Sequence, residues 1–347
     1  MARIAVVTSA PPFVEGGHLL IAEGLVDALR ASGHEAAVVL TASNRFGRQA
    51  SAYLANWLTD VGVTGDGRRI DQIVSLRYPS HAVRHERHTC WLNHTMREYY
   101  DLWDDFSARL SPQGRLKERV RRAAIHATDT YLFKHNVTKL CALSKTVQAR
   151  LARWNGVSSE AVYPPPPPRP YRCEQYGDYL FVVSRLSPLK RIDLVLDALA
   201  TPACRGVRCI IGGDGEARPQ LQQRIEALGL GSRVTLAGRL TDDELVAHYA
   251  QCRAVCFVPR DEDFGFVTVE AFASSKAVIT CTDSGAPAEL VVSEQNGLIA
   301  APDAQSVGAA IARLMEDRGL AERLGQQALT DGRQWTWPAT VARLLLV

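Results

Sequence analysis

Two carboxylates stand eight positions apart in "RDEDFGFVTVEA", residues 260–271: Glu262 and Glu270. Phe264-Gly265-Phe266 lies between them, followed by a β-branched run. The preceding "AVCFVP" reads as a strand, so Arg260–Phe264 is the loop at its carboxyl end. A helix starting near Phe266 and running through Ala273 places Glu262 in that loop and Glu270 about one turn in. The amides of Gly265, Phe266 and Val267 are then helix N-terminal donors without intrahelical partners. Such amides attract a phosphate or a polar sugar. Gly265 lets the backbone come close to a ligand. A helix-borne carboxylate can accept from a ribose diol, as the acid of dinucleotide folds does. The bland reading of the same stretch is a solvated acidic loop with one helix-face glutamate.

Cations come from a second stretch, "VVSRLSPLKRID". Arg185 follows a strand directly, and Lys190 follows five residues later, ahead of a helix. Two cations in one strand-end loop suit a diphosphate. A third piece is Gly16-Gly17, between the first strand and the helix after it. It is not G-x-G-x-x-G, which argues against an ordinary dinucleotide-binding site.

These groups need a scaffold that gathers strand ends. "RIAVVT" and "AAVVLT" read as buried strands, with a helix between them ending at Gly33. Strand, helix, strand builds a parallel sheet. Residues 45–135 add the expected strands "QIVSLRY" and "HTCWLNH" and helices over 97–110 and 115–135. "KLCALS" and "KTVQARLARWNG" continue the alternation. Five consecutive prolines, Pro164–Pro168, then form a stiff extended connector. A second strand–helix series runs from Tyr179 onward. The fold class expected is α/β, with two Rossmann-like doubly wound domains facing across a cleft. The boundaries expected are 1–163, completed by a C-terminal helix at 332–347, and 164–331. Ligands in such sheets sit outside the carboxyl ends of the strands.

Together these elements resemble the retaining glycosyltransferases of family 4, which have the GT-B fold. The resemblance covers most of the chain and is strongest from Tyr179 to about Trp337. The E-x7-E element of that family is similar to "EDFGFVTVE", so the resemblance implies donor contacts at Phe264, Gly265, Phe266, Val267 and Glu270. Glu262 would lie on the donor-sugar side. Arg185 and Lys190 would hold the diphosphate, with Gly16 and Gly17 opposite. "GGDGE" resembles the family's strand-end glycine turn and implies a role for Gly213. "GRLTDDEL" resembles its base-contacting turn and implies Arg239 and Leu240. "WLNHTMREYYDLW" resembles its strand-end histidine region and points to His94. The implied reaction moves a sugar from a nucleotide-diphosphate donor to an acceptor hydroxyl with the anomeric configuration kept. It needs no cofactor beyond the nucleotide sugar as co-substrate, and no metal. The acceptor stays open between a natural-product aglycone, a glycan and a lipid-linked sugar. Two other readings are a nucleotide-sugar 2-epimerase and a non-catalytic nucleotide-sugar binder.

The bulk numbers fit this. The 347 residues suffice for two domains, and a net charge of +3 calls for no nucleic acid. The eight cysteines include no C-x2-C pair and read as reduced thiols, although Cys252 and Cys256 have helical spacing. The N-terminal apolar run is too short for a secretory leader, and no stretch approaches a membrane span. The chain is expected to be cytoplasmic, and its Ala/Arg-rich composition suggests a high-GC bacterium. His81 and His85 have helical i, i+4 spacing near His88, but this is not H-E-x-x-H and arginines crowd it, so a metal is not expected. Arg115, Lys117, Arg119, Arg121 and Arg122 read as a solvated helix face rather than a membrane contact.

Overall fold

The computed structural model describes residues 1–11, 17–44 and 46–346. They fall into two α/β units, Met1–Pro165 with Trp335–Val347, and Pro166–Gln334. The first unit holds β1 (Arg3–Ser9), β2 (Glu35–Thr41), β3 (Gln72–Ser75), β4 (His88–Leu92), β5 (Lys139–Ala142) and β6 (Glu160–Ala161). They form one parallel sheet in the order β2-β1-β3-β4-β5-β6. The second unit holds β7 (Tyr179–Val183), β8 (Arg208–Gly212), β9 (Val234–Gly238), β10 (Ala254–Cys256), β11 (Val278–Cys281) and β12 (Gly297–Ala300). Their order is β12-β11-β10-β7-β8-β9, again parallel.

The strands are short apolar runs because helices cover both faces. Every residue of β3, β4, β10 and β11 is buried. In the second unit the chain steps outward from β7 through β8 to β9. It then returns to β7's other side, where Val255 pairs with Phe181, and steps through β10 to β12. Loops after β7 and β10 therefore leave in opposite directions, which opens a crevice at their carboxyl ends.

The C-terminal helix Trp337–Leu344 belongs to the first unit. It lies on the helix Gly17–Ala31, where a Cβ on Gly24 would come 2.3 Å from the Trp337 ring. The Leu344 carbonyl accepts from Gln72 Nε2 at 3.0 Å and Thr89 Oγ1 at 2.9 Å, which fastens the end of the chain to β3 and β4.

Three local features of the structure go beyond or depart from the sequence reading. A helix, Gln49–Leu58, lies in a stretch to which the sequence analysis gave no element. Its buried residues include the polar Gln49 and Asn56, while Leu54 and Leu58 are exposed, so its apolar periodicity points away from the core. Residues 97–110 form a 3₁₀ turn, Arg97–Tyr99, and a separate short helix, Trp103–Ala108. Tyr99 and Tyr100 are both buried and are drawn apart: Tyr99 donates to Glu118 at 2.7 Å and Tyr100 to Asp129 at 2.7 Å. Two such anchors override the helical period. Cys252 ends a helix and Cys256 lies in β10, so they share no helix face.

His81 and His85 share no helix either, since only Ser80–Ala82 is 3₁₀. His81 Nε2 meets the buried Asp129 carboxylate at 2.8 Å. His85 reaches backbone carbonyls, and His88 meets Ser75 Oγ at 2.7 Å. Among the described residues no group of His, Cys, Asp or Glu could hold a metal ion. No described helix is long and apolar enough to cross a membrane.

His88 carries a pH dependence. Its Nδ1 donates to the Asn136 carbonyl at 3.0 Å, so the Ser75 hydroxyl supplies the proton to Nε2 and the ring is neutral. Burial pushes its pKa down from 6.5 to about 3. The unfolded chain binds a proton there that the folded chain refuses. Stability from this group is complete above about pH 6.5 and declines toward pH 3, by at most about 1.4 kcal/mol per pH unit. The urea midpoint should fall across that window, and the slope should be shallower in His88→Gln. Equal slopes in the two proteins would rule His88 out as the source.

Candidate active site

The β7–β10 crevice collects most of the residues singled out in the second unit. After β7 comes Ser184-Arg185, then a 3₁₀ turn Pro188–Lys190, then the helix Ile192–Ala200. After β10 the loop runs through Glu262 to Gly265, which caps the helix Phe266–Ala273. Gly265 has φ 76°, and a Cβ there would lie 2.5 Å from the Phe257 ring. Only glycine fits at this helix start, and the first amides of a helix have no intrahelical partner.

Lys190 Nζ donates to Glu262 Oε2 at 2.6 Å, with both side chains largely covered. The ammonium also stands 5.5 Å from the Phe257 ring centroid. Arg185, in contrast, is an exposed side chain, 3.3 Å from Glu216. The structure thus brings Lys190, Glu262 and Gly265 together and leaves Arg185 at the rim.

Backbone geometry fixes this loop. Glu262 N–H donates to the Ser284 carbonyl at 3.0 Å, and Ala286 N–H to the Glu262 carbonyl at 3.0 Å. A Cβ on Gly285 would come 2.5 Å from that carbonyl oxygen. Arg191, which the sequence reading passed over, ties three loops at once. It donates to the Val258 and Pro259 carbonyls at 2.7 and 2.8 Å, and to both oxygens of Asp283 at 2.8 and 2.7 Å.

Gly213 follows β8 with φ 115°, and its N–H donates to the Gly238 carbonyl at 2.7 Å. A Cβ there would sit 1.9 Å from the Ser184 carbonyl, so the turns after β7 and β8 touch backbone to backbone. Arg239 and Leu240 lie between β9 and the helix Asp242–Gln251, and Leu240 packs over Gly212. Thr241 caps that helix in a capping box with Glu244.

Glu270 is 6% exposed. Its Oε1 accepts from Arg169 Nη1 at 2.8 Å and its Oε2 from the Tyr249 hydroxyl at 2.9 Å. Burial raises its carboxyl above the ordinary carboxylate value, and Arg169, Tyr249 and Tyr171 oppose that rise. Arg169 and Tyr249 were not singled out from the sequence. Arg169 directly follows the proline run and lies a hundred residues from its partner, so no local pattern announces it.

In the first unit, Gly16 lies outside the described residues. Gly17 opens the helix Gly17–Ala31. His94 follows β4, and its Nδ1 donates to the Thr95 carbonyl at 2.7 Å, leaving Nε2 as an acceptor. Two further residues join it at these strand ends. Arg77, just past β3, donates to His18 Nε2 at 3.2 Å. Burial lowers the His18 pKa to about 4, and the neighbouring Arg77 and His94 add to that. The signal available in the sequence was position alone: His18 follows the glycine pair, and Arg77 follows a strand.

Known proteins resemble this chain in sequence and in fold. Residues 174–331 match the family model described as glycosyl transferases group 1. A protein described as an uncharacterized glycosyltransferase from Methanocaldococcus jannaschii is 27% identical over 226 residues, 61% of this chain and 60% of its own length. The chain spans 17% and 42% of two further curated relatives that it matches. Among solved structures, sucrose-phosphate synthase from Thermosynechococcus elongatus is similar with a TM-score of 0.75 at 16% identity, covering 99% of this chain and 97% of that one. Anabaena HepE, solved with UDP and glucose, is similar with a TM-score of 0.69 at 17% identity, covering 98% and 97%. Residues 174–331 are thus similar to the group 1 glycosyl transferases, and the chain has the two-domain GT-B fold of those solved structures.

Proposed function

We propose that this protein is a retaining glycosyltransferase of family 4 that moves a sugar from a nucleotide-diphosphate donor to an acceptor hydroxyl without a metal. The observation that carries the reading is the Lys190–Glu262 pair at the β7–β10 crevice, beside the amide-bearing start of the helix Phe266–Ala273. A similar fold is solved with UDP and glucose bound, which supports a nucleotide sugar as the ligand of this one.

In this mechanism the diphosphate takes the place of Glu262 as the counter-charge of Lys190. Glu262 then turns to the hydroxyls of the donor sugar. Arg185 swings in from the rim, and the amides of Gly265, Phe266 and Val267 face the phosphate oxygens. These donors meet charge that grows as the bond from the anomeric carbon to phosphate breaks. The acceptor oxygen forms its bond to the same face of the anomeric carbon, and its proton passes to the departing phosphate oxygen. Glu270 accepts from the ribose with the lone pairs that Arg169 and Tyr249 leave. Gly213, Arg239 and Leu240 border the nucleotide. In the first unit, Gly17 and His94 also belong to the donor-binding set in this reading. The protein works in the cytoplasm of a bacterium, and its acceptor is a natural-product aglycone, a glycan or a lipid-linked sugar.

Incubation with labelled nucleotide sugars should show nucleotide release that depends on an added acceptor. Release without any acceptor, or isomerisation of the donor sugar, would contradict transfer. Lys190→Ala should lower kcat/KM by about 10²–10³-fold, or about 3–4 kcal/mol, with an unchanged circular dichroism spectrum. Undiminished turnover would remove Lys190 from the diphosphate site.

The Glu270 pair makes a separate prediction about folding. Arg169→Met leaves a buried carboxylate without its cation and should cost about 3–5 kcal/mol in urea denaturation. Adding Glu270→Gln should return much of that loss. A double variant as weak as the sum of the two singles would mean that the pair is not coupled.

A further inference from the structure

Seven of the eight cysteines are buried, and Cys173 alone is exposed. It lies in the segment that leads from the prolines to β7. Burial pushes up the thiols of Cys90, Cys252 and Cys281 to about 12, so the interior sulfurs are inert. Cys173 has an unusual neighbour. Lys276, on the loop between the helix Phe266–Ala273 and β11, is fully buried. Its Nζ donates to Cys173 Sγ at 3.2 Å and to the Gln175 carbonyl, and it stands 4.1 Å from the Tyr176 ring centroid. A carbonyl and an aromatic face thus hold a long, normally mobile side chain with its nitrogen against one sulfur. That sulfur belongs to the one exposed cysteine.

We propose that Cys173 and Lys276 are a modification site, at which a peroxide oxidises the thiol and the amine then condenses with it to form a reversible S–N crosslink. The inference does not depend on the glycosyl-transfer reading. In the first step the Cys173 thiol takes one oxygen from hydrogen peroxide, giving the sulfenic acid and one water. Lys276, which is buried, passes one proton to the sulfenic oxygen, and its nitrogen attacks the sulfur. The S–O bond breaks as water departs, and the nitrogen loses a second proton, which leaves by the exposed Cys173 side. Thiol, ammonium and peroxide thus become a sulfenamide, two waters and a proton, with sulfur oxidised by two electrons and peroxide reduced by two. Sulfenic acids condense in this way with nitrogen nucleophiles, and thiols reverse the product. Pre-alignment is what makes this lysine competitive, because the cost of bringing the two atoms together is met by the fold. The product staples the connector to the loop closing the helix Phe266–Ala273, whose other end carries Gly265.

The test uses the full chain, treated with hydrogen peroxide and analysed by intact mass and non-reducing peptide mapping. The expected product has lost the mass of two hydrogens, joins the Cys173 and Lys276 peptides, and returns to the starting mass with dithiothreitol. Cys173→Ser and Lys276→Met should both abolish it, each with a wild-type circular dichroism spectrum. In Lys276→Met the sulfenic acid should persist and be trapped by dimedone. Three results would overturn the proposal. One is Cys173 gaining oxygen with the Lys276 peptide left linear. Another is a link from Cys173 to Cys252, which gives the same mass loss and would survive in Lys276→Met. The third is no change at Cys173.

Discussion

Arg191 is the residue on which the geometry of the second unit turns. One guanidinium, 15% exposed, binds two carbonyls of the loop after β10 and the carboxylate of Asp283 after β11. Its own backbone, at φ 50°, makes the corner between Lys190 and the following helix. The loops after β7, β10 and β11 are therefore one rigid assembly. The backbone at Lys190 is held close to the segment that carries Glu262, because the next residue is bonded to that segment. Charge-assisted bonds of this kind are the stronger ones, and a bidentate arginine adds direction to them.

The two glutamates of the opening element have different surroundings. Glu262 pairs with a lysine in a partly covered crevice. Glu270 is nearly sealed and is held by an arginine and a tyrosine from distant segments. Arg169 also reaches Asp242 at 3.0 Å, so the start of one helix and the middle of another share a cation. A buried carboxylate needs such partners, since an unpaired charge in a dry interior is costly. The spacing of the two acids leaves one pair partly open and the other nearly sealed.

Glycines do related work where strands end. Gly213 and Gly285 sit where a Cβ would overlap a carbonyl oxygen of the neighbouring loop. The turns after β7 and β8, and those after β10 and β11, can therefore touch through their backbones. Close backbone approach around a crevice leaves room for a ligand to meet N–H and C=O groups directly.

The sequence by itself determined the alternation of strand and helix, the proline connector, and the helix start at Phe266. Apolar runs of strand length and glycine-marked helix ends are local signals, and they survive folding because the sheet buries both faces of its strands. It also marked Lys190, Glu262 and Gly265, which lie within one loop each. Only the tertiary structure decided the partners of Glu270, the bracing by Arg191, and the gathering of His18 and Arg77 beside His94. It also decided the helix Gln49–Leu58, whose buried side is partly polar, and the break at Tyr99-Tyr100. The physical reason is the same in each case. Periodicity reports which face of an element is apolar, whereas a buried charge or hydroxyl is settled by whatever long-range partner the fold delivers to it.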